Sequence, residues 1–135
     1  MRSFHLEIVT PDGTAYDAAA QSLLLRTDDG DVELLAGHAD YIGTVGTGRV
    51  RVRDAEGNDE FASASGGFIT VSRGEVKLVA TTFEFARDID VNRAEAAAER
   101  ARSAISSAKS DRDERVAKAK LARALNRINV SSLKG

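Results

Sequence analysis

Four arginines in the last third of the 135-residue chain could do chemistry together. Arg93 and Arg100 stand seven residues apart, and Arg123 and Arg127 four apart, so each pair shares one face wherever the chain is helical. Guanidinium groups grip phosphate oxygens through charge-assisted, often bidentate hydrogen bonds. If the two segments that carry them close on one another, all four can converge on a polyphosphate. Asp90 stands just ahead of the first pair, where its carboxylate can cap a helix by accepting orphan backbone N–H groups. Glu84 lies six residues earlier, at the same junction.

Covalent catalysis and metal binding have no comparable set. The only histidines are His5 and His38, and His5 alternates in a strand pattern that turns it toward solvent. Cysteine is absent, which removes thiolate nucleophiles, disulfides and sulfur ligands together and leaves the redox compartment undetermined. The chain holds neither a Gly-x-Ser-x-Gly elbow nor a Gly-x-x-x-x-Gly-Lys-Ser/Thr phosphate loop. Two lone histidines without paired carboxylates give no coordination set. Asp28 and Asp29 are adjacent, so on a strand they would point to opposite faces, and a turn is the simpler home for them. The chain therefore reads as non-enzymatic, with no catalytic residues, no metal and no required cofactor.

Two halves with different periods must position these groups. Up to residue 86 the pattern is that of strands: Phe4, Leu6 and Ile8 alternate, as do Val50 and Val52 between Arg49, Arg51 and Arg53. Turn chemistry recurs at Pro11-Asp12-Gly13, Asp28-Asp29-Gly30, Glu56-Gly57-Asn58, Gly66-Gly67 and Arg73-Gly74. Between the later turns run strand candidates at 61–65, 68–72 and 76–82. This spacing predicts an all-β N-terminal sandwich or barrel with a core of Phe4, Leu6, Ile8, Val50, Val52, Phe68, Val71, Val76 and Leu78.

From residue 87 onward the period is helical. Ala94, Ala97, Ala98, Ala101, Ile105 and Ala108 form one stripe, and Ala117, Leu121, Ala124, Leu125 and Ile128 a second. The polar run Ser106-Ser107-Ala108-Lys109-Ser110 separates them, and Ser110 with Asp113 resembles a capping box. Residues 87–135 thus read as an antiparallel two-helix hairpin, a second domain after the sandwich of residues 1–86. Its seam is rich in alanine and buries little area per residue. At about 25 cal/mol per Å² such a seam stabilises the hairpin weakly, which suggests a part that opens.

Net charge is −2, but it is unevenly spread. Residues 1–86 carry seven Lys and Arg against fourteen Asp and Glu, and residues 87–135 carry twelve against seven. An acidic body with a basic arm suits docking of the arm on an acidic partner or an anion. Nucleic acid is a poor fit, given the acidic body and only Phe83 and Phe85 as aromatics near the basic region. No stretch approaches the roughly 20 apolar residues of a membrane span. Met1-Arg2-Ser3-Phe4-His5 leads into alternation rather than a signal-peptide core, so a cytoplasmic location is expected.

The segment from Phe4 to Gly13, FHLEIVTPDG, resembles the opening strand and turn of ATP synthase epsilon subunits. The likeness continues through residues 31–39, with Gly37-His38-Ala39, and resumes at Ser65-Gly66-Gly67-Phe68, at Val76-Lys77-Leu78-Val79-Ala80 and at Ile89-Asp90-Val91-Asn92-Arg93-Ala94. Each piece is short, and their fixed order carries the likeness. The sequence departs from the family at Glu33, where glycine is usual, and at Ala36 and Asp40, where proline is usual.

The resemblance implies a non-catalytic rotor subunit on the cytoplasmic face of the bacterial cell membrane, held there as a peripheral part of the complex. Its sandwich would bind the gamma subunit and rest on the c-subunit ring, with Asp31 and His38 in the ring-facing segment. Its hairpin would either fold against the sandwich or extend along gamma toward the catalytic alpha and beta subunits, where it blocks hydrolysis. Ile89-Asp90-x-x-Arg93-Ala94 resembles the segment by which some bacterial members bind ATP as a regulatory ligand. On that likeness Glu84 and Asp90 accept from the adenine amino group, and Arg93, Arg100, Arg123 and Arg127 hold the rest of the nucleotide.

Overall fold

The computed structural model describes residues 2–133. Seven strands come first: β1 Phe4–Thr10, β2 Gly13–Thr27, β3 Gly30–Leu35, β4 Tyr41–Thr44, β5 Gly48–Asp54, β6 Asp59–Ser72 and β7 Glu75–Phe85. A 3-10 turn over Ala86–Asp88 then leads into α1 Val91–Ser106 and α2 Asp111–Ser131. The sandwich-then-hairpin order expected from the change of period is the one that forms.

The strands run in the order β1-β7-β6-β5-β2-β3, with β4 on β6, and β1 pairs β2 as well. The path from β1 to β2 therefore returns to its start and wraps one core. Two long strands serve both layers. β2 pairs β1 through residues 13–20 and β3 through residues 22–27, with a register shift against β5 between Ala20 and Ser22. β6 pairs β5 through residues 59–64 and β4 through residues 68–71.

Between those halves of β6 stand Gly66 and Gly67, expected from the sequence to end one strand and begin the next. Instead β6 continues through them, for Ser65 still pairs Thr82 and Gly67 pairs Ala80 on β7. The two glycines bend the strand at φ +77° and +96°, and a Cβ on Gly67 would lie 1.8 Å from the Val79 carbonyl oxygen. The pair is there for a close approach of backbones, not a reversal.

Side-chain alternation then fills the core. Phe4, Leu6 and Ile8, Leu23 and Leu25, Val50 and Val52, and Val76 and Leu78 are all buried. Phe68, expected among them, is 45% exposed. Ile69 and Val71 point inward, and in a strand of period two Phe68 must then point outward.

Both helix caps follow the sequence. The Asp90 carboxylate accepts from the Arg93 backbone N–H at 3.1 Å, and Ser110 Oγ from that of Asp113 at 3.0 Å. Ala94, Ala98 and Ala101 of α1 are buried, as are Ala117 and Ala124 of α2. Leu125, placed in the second stripe by its spacing, is instead 37% exposed, since one residue past buried Ala124 turns it about 100° round the helix. The apolar anchor of α2 lies further on: Val130 is buried against Ala86 and Ile89, with Phe61 packed alongside.

The hairpin lies against the sandwich. Asn126 Nδ2 donates to the Gly48 carbonyl at 2.9 Å and to Ser63 Oγ at 2.8 Å. One residue on, Arg127 Nε donates to Glu84 Oε1 at 2.8 Å.

Candidate anion-binding site

At the end of β7 the alternation that packs Phe83 and Phe85 edge to face, their centroids 5.0 Å apart, turns Glu84 to the other side, toward α2. There Glu84 receives Arg127 through both oxygens, at 2.8 and 3.5 Å. The same wall continues into a cleft of about 420 Å³ lined by Glu84, Arg93, Arg123 and Arg127, together with Thr10 at the end of β1 and Asp12 in the β1–β2 turn. An adjoining cleft of about 410 Å³ runs up between the helices. It is lined by Arg100, Arg123 and Arg127 over Ala97, Ala101 and Ala124.

The structure thus brings Glu84, Arg93, Arg123 and Arg127 to one cleft, and links Arg100 to them through a second cleft that shares Arg123 and Arg127. Asp90 lines neither; its carboxylate is engaged at the start of α1 by the Arg93 backbone. Among the described residues, Arg127 alone of the four arginines has an acidic partner. Arg93, Arg100 and Arg123, outside any ion pair, share the groove with the carboxylates of Asp12 and Glu84, and their mutual repulsion favours an anion between them. Asn126 was not legible in the sequence, because a single asparagine off both apolar stripes carries no pattern.

Asp31 and His38 are not brought together. They sit at opposite ends of β3: Asp31 pairs with Arg26 at 2.7 Å beside the β2–β3 turn, and His38 follows the strand, its ring edge-on to Tyr41 with centroids 6.0 Å apart. Of the three residues that depart from the family, Ala36 packs against the sandwich core and the other two find polar partners there. Glu33 accepts from Arg51 at 2.7 Å, and Asp40 from the Arg73 backbone N–H at 3.0 Å.

His5 is solvent-facing but not alone. Its ring nitrogens lie 2.5 Å from Asp17 and 2.5 Å from Glu75. The Asp17 hydrogen bond first, and the Glu75 one after it, raise its pKa above the ordinary histidine value.

On the outer face of the sandwich, Ile42 is 73% exposed and Phe68 45%. The register of β4 on β6 sets them diagonally across one face.

The class of protein is thus a β-sandwich platform that carries a docked two-helix arm over a groove lined by arginines. Comparison with known proteins gives the family. The family described as ATP synthase, Delta/Epsilon chain, beta-sandwich domain, matches residues 3–86, and ATP synthase, Delta/Epsilon chain, long alpha-helix domain, matches residues 87–132. The ATP synthase epsilon chain of Bacillus velezensis is 37% identical over 131 residues, covering 97% of this chain and 98% of its own. That of Lacticaseibacillus casei is 38% identical over 132 residues, covering 94% and 92%.

Among solved structures, a chain of the Euglena gracilis mitochondrial ATP synthase (OSCP/F1/c-ring) superposes with a TM-score of 0.80 at 21% identity, covering 97% of this chain and 81% of that one. One from the Tetrahymena thermophila mitochondrial enzyme (central stalk/cring) gives 0.71 at 10% identity, covering 96% and 97%. These two share the fold. The chain belongs to the ATP synthase epsilon-chain family and is a non-catalytic stalk subunit of that enzyme.

Proposed function

We propose that the sandwich couples the gamma subunit to the c-subunit ring, that the hairpin restrains ATP hydrolysis when it leaves the sandwich, and that ATP holds it down. The observation that carries this reading is the groove itself, to which both helices contribute arginines and β7 contributes Glu84. A ligand touching both helices and the sandwich binds the closed arm only. At 100 times its dissociation constant it would favour that arm by about 2.7 kcal/mol. That is of the same order as the few contacts that dock the arm, namely the Asn126 latch, the Arg127–Glu84 pair and the Val130 anchor.

Glu84 and Asp90 would accept from the adenine amino group and the arginines would hold the phosphates. Arg127 would exchange Glu84 for phosphate, and Asp90 would have to share the carboxylate that now caps α1. When the arm extends, the basic residues Arg112, Arg115, Lys118, Lys120, Arg123 and Arg127 of α2 would meet an acidic segment of the catalytic beta subunits. The exposed Ile42 and Phe68 support a docking face on the sandwich for another stalk subunit. Asp31 and His38 would lie toward the ring, and the whole would sit at the cytoplasmic face of the bacterial membrane through the complex.

The test is calorimetric titration of ATP into the full chain and into Arg93→Ala and Arg123→Ala. Saturable binding that either substitution weakens at least tenfold is expected, as for loss of a charge-assisted phosphate contact. No heat from the wild-type chain at millimolar ATP would reduce the arginines to a docking surface.

A further inference from the structure

His5 faces two strands at once. On the outer side of the sandwich its ring stands between Asp17 of β2 and Glu75 of β7, with Nε2 2.5 Å from the first carboxylate and Nδ1 2.5 Å from the second. Ionised carboxylates only accept hydrogen bonds, and a neutral imidazole carries a single N–H. The imidazolium alone can donate to both, so uptake of a proton completes a clip from β1 to each of its neighbours. The other charged groups nearby are engaged elsewhere. Glu7 of β1 and Lys77 of β7 pair with each other at 3.7 Å, and the Arg2 guanidinium lies over Gly37.

Glu75 is the first residue of β7, directly after the turn at Arg73 and Gly74. Arg73 holds φ at +52°, a left-handed conformation that a residue with a side chain rarely adopts. Its backbone N–H donates to Asp40 Oδ1 at 3.0 Å. Among the described residues, that hydrogen bond is the one polar tie between residues 36–40, the loop from β3 to β4, and a distant part of the sandwich. The route from proton to loop is short. His5 holds Glu75, Glu75 fixes the start of β7, and the turn before it presents the N–H that anchors Asp40.

We infer that His5 is a proton-operated clip that sets how firmly residues 36–40 are held to the sandwich, tightening as pH falls. Resting on the placement of this loop toward the ring proposed above, the clip makes that contact respond to the proton concentration around the complex.

The experiment is nuclear magnetic resonance on the full chain between pH 6 and 9, for wild type, His5→Gln, Glu75→Gln and His38→Gln. It follows the His5 ring and the protection of the Arg73 amide, corrected for the intrinsic pH dependence of exchange. Arg73 protection should fall about two- to fivefold as pH rises, with the midpoint of the His5 ring, a size that suits half-exposed ion pairs. Glu75→Gln should lower the His5 midpoint and shrink the response, and His5→Gln should abolish it. His38 lies in the loop itself, so His38→Gln should leave the response in place. A response that survives His5→Gln or disappears in His38→Gln, or an Arg73 amide that does not follow a titrating His5, overturns the clip. In the assembled synthase, a loop no better protected than in the free chain would overturn its placement toward the ring and leave the clip standing.

Discussion

At the scale of single residues, two carboxylates have demands on them that substitution can separate. Asp90 caps α1, and the cap alone should make Asp90→Ala cost about 1 kcal/mol in denaturant unfolding while Asp90→Asn costs little. If Asp90 also serves the base, Asp90→Asn should still lose ATP affinity, and equal affinity would leave it a cap. The His5 cluster makes a second prediction. Its pKa is raised in the fold by Asp17 and Glu75, relative to about 6.5 unfolded. The stabilisation is therefore fully present below 6.5, where both states are protonated, and is lost as pH rises through the higher folded value. Nuclear magnetic resonance should give His5 a midpoint above 6.5, and His5→Gln should flatten the fall in stability between pH 6 and 9. A midpoint at or below 6.5 would show that the two ion pairs do not persist in solution. The arginine spacing was legible because a helix repeats on a fixed period. Hydrophobicity alone puts Phe68 in the core because it does not set the parity of a strand, whereas the inward Ile69 and Val71 do and turn Phe68 outward.

At the scale of elements, turn chemistry and the switch from period two to a helical period located both halves of the fold. Gly66-Gly67 suits a turn and a bend equally in the sequence, and only the pairing of β6 with β7 decides for the bend. β4 is four residues long, Tyr41-Ile42-Gly43-Thr44, too short for alternation to mark it. Gly67→Ala should destabilise the sandwich by roughly 3 kcal/mol or prevent folding, since its Cβ would overlap a backbone carbonyl that cannot move away. The docked position of α2 could not be read at all, for it depends on Asn126 reaching the Gly48 carbonyl and Ser63 from far along the chain. Asn126→Ala should weaken docking by about 1–3 kcal/mol. Hydrogen exchange should then speed up in α2 while β1 and β7 keep their protection. Uniform acceleration throughout would mean that Asn126 supports the whole fold rather than the latch.

At the scale of the whole molecule, an acidic sandwich holds a basic arm through few contacts: one asparagine, one Arg–Glu pair and the Val130 anchor. Removing residues from Asp88 onward should leave a folded sandwich, whose core takes no side chain from either helix. That truncation should raise ATP hydrolysis by the assembled synthase. The claim that joins site to function is that ATP selects the closed arm. The chain has no cysteine, so two labels can be placed at will on exposed positions, Thr14→Cys on the sandwich and Ala119→Cys on α2. The direct measurement is the distance distribution between them in the assembled synthase, with and without millimolar ATP. ATP should move the population toward the short distance of the docked hairpin, and Arg123→Ala should abolish the move. A distribution that ATP leaves unchanged, or shifts toward longer distances, would contradict the account.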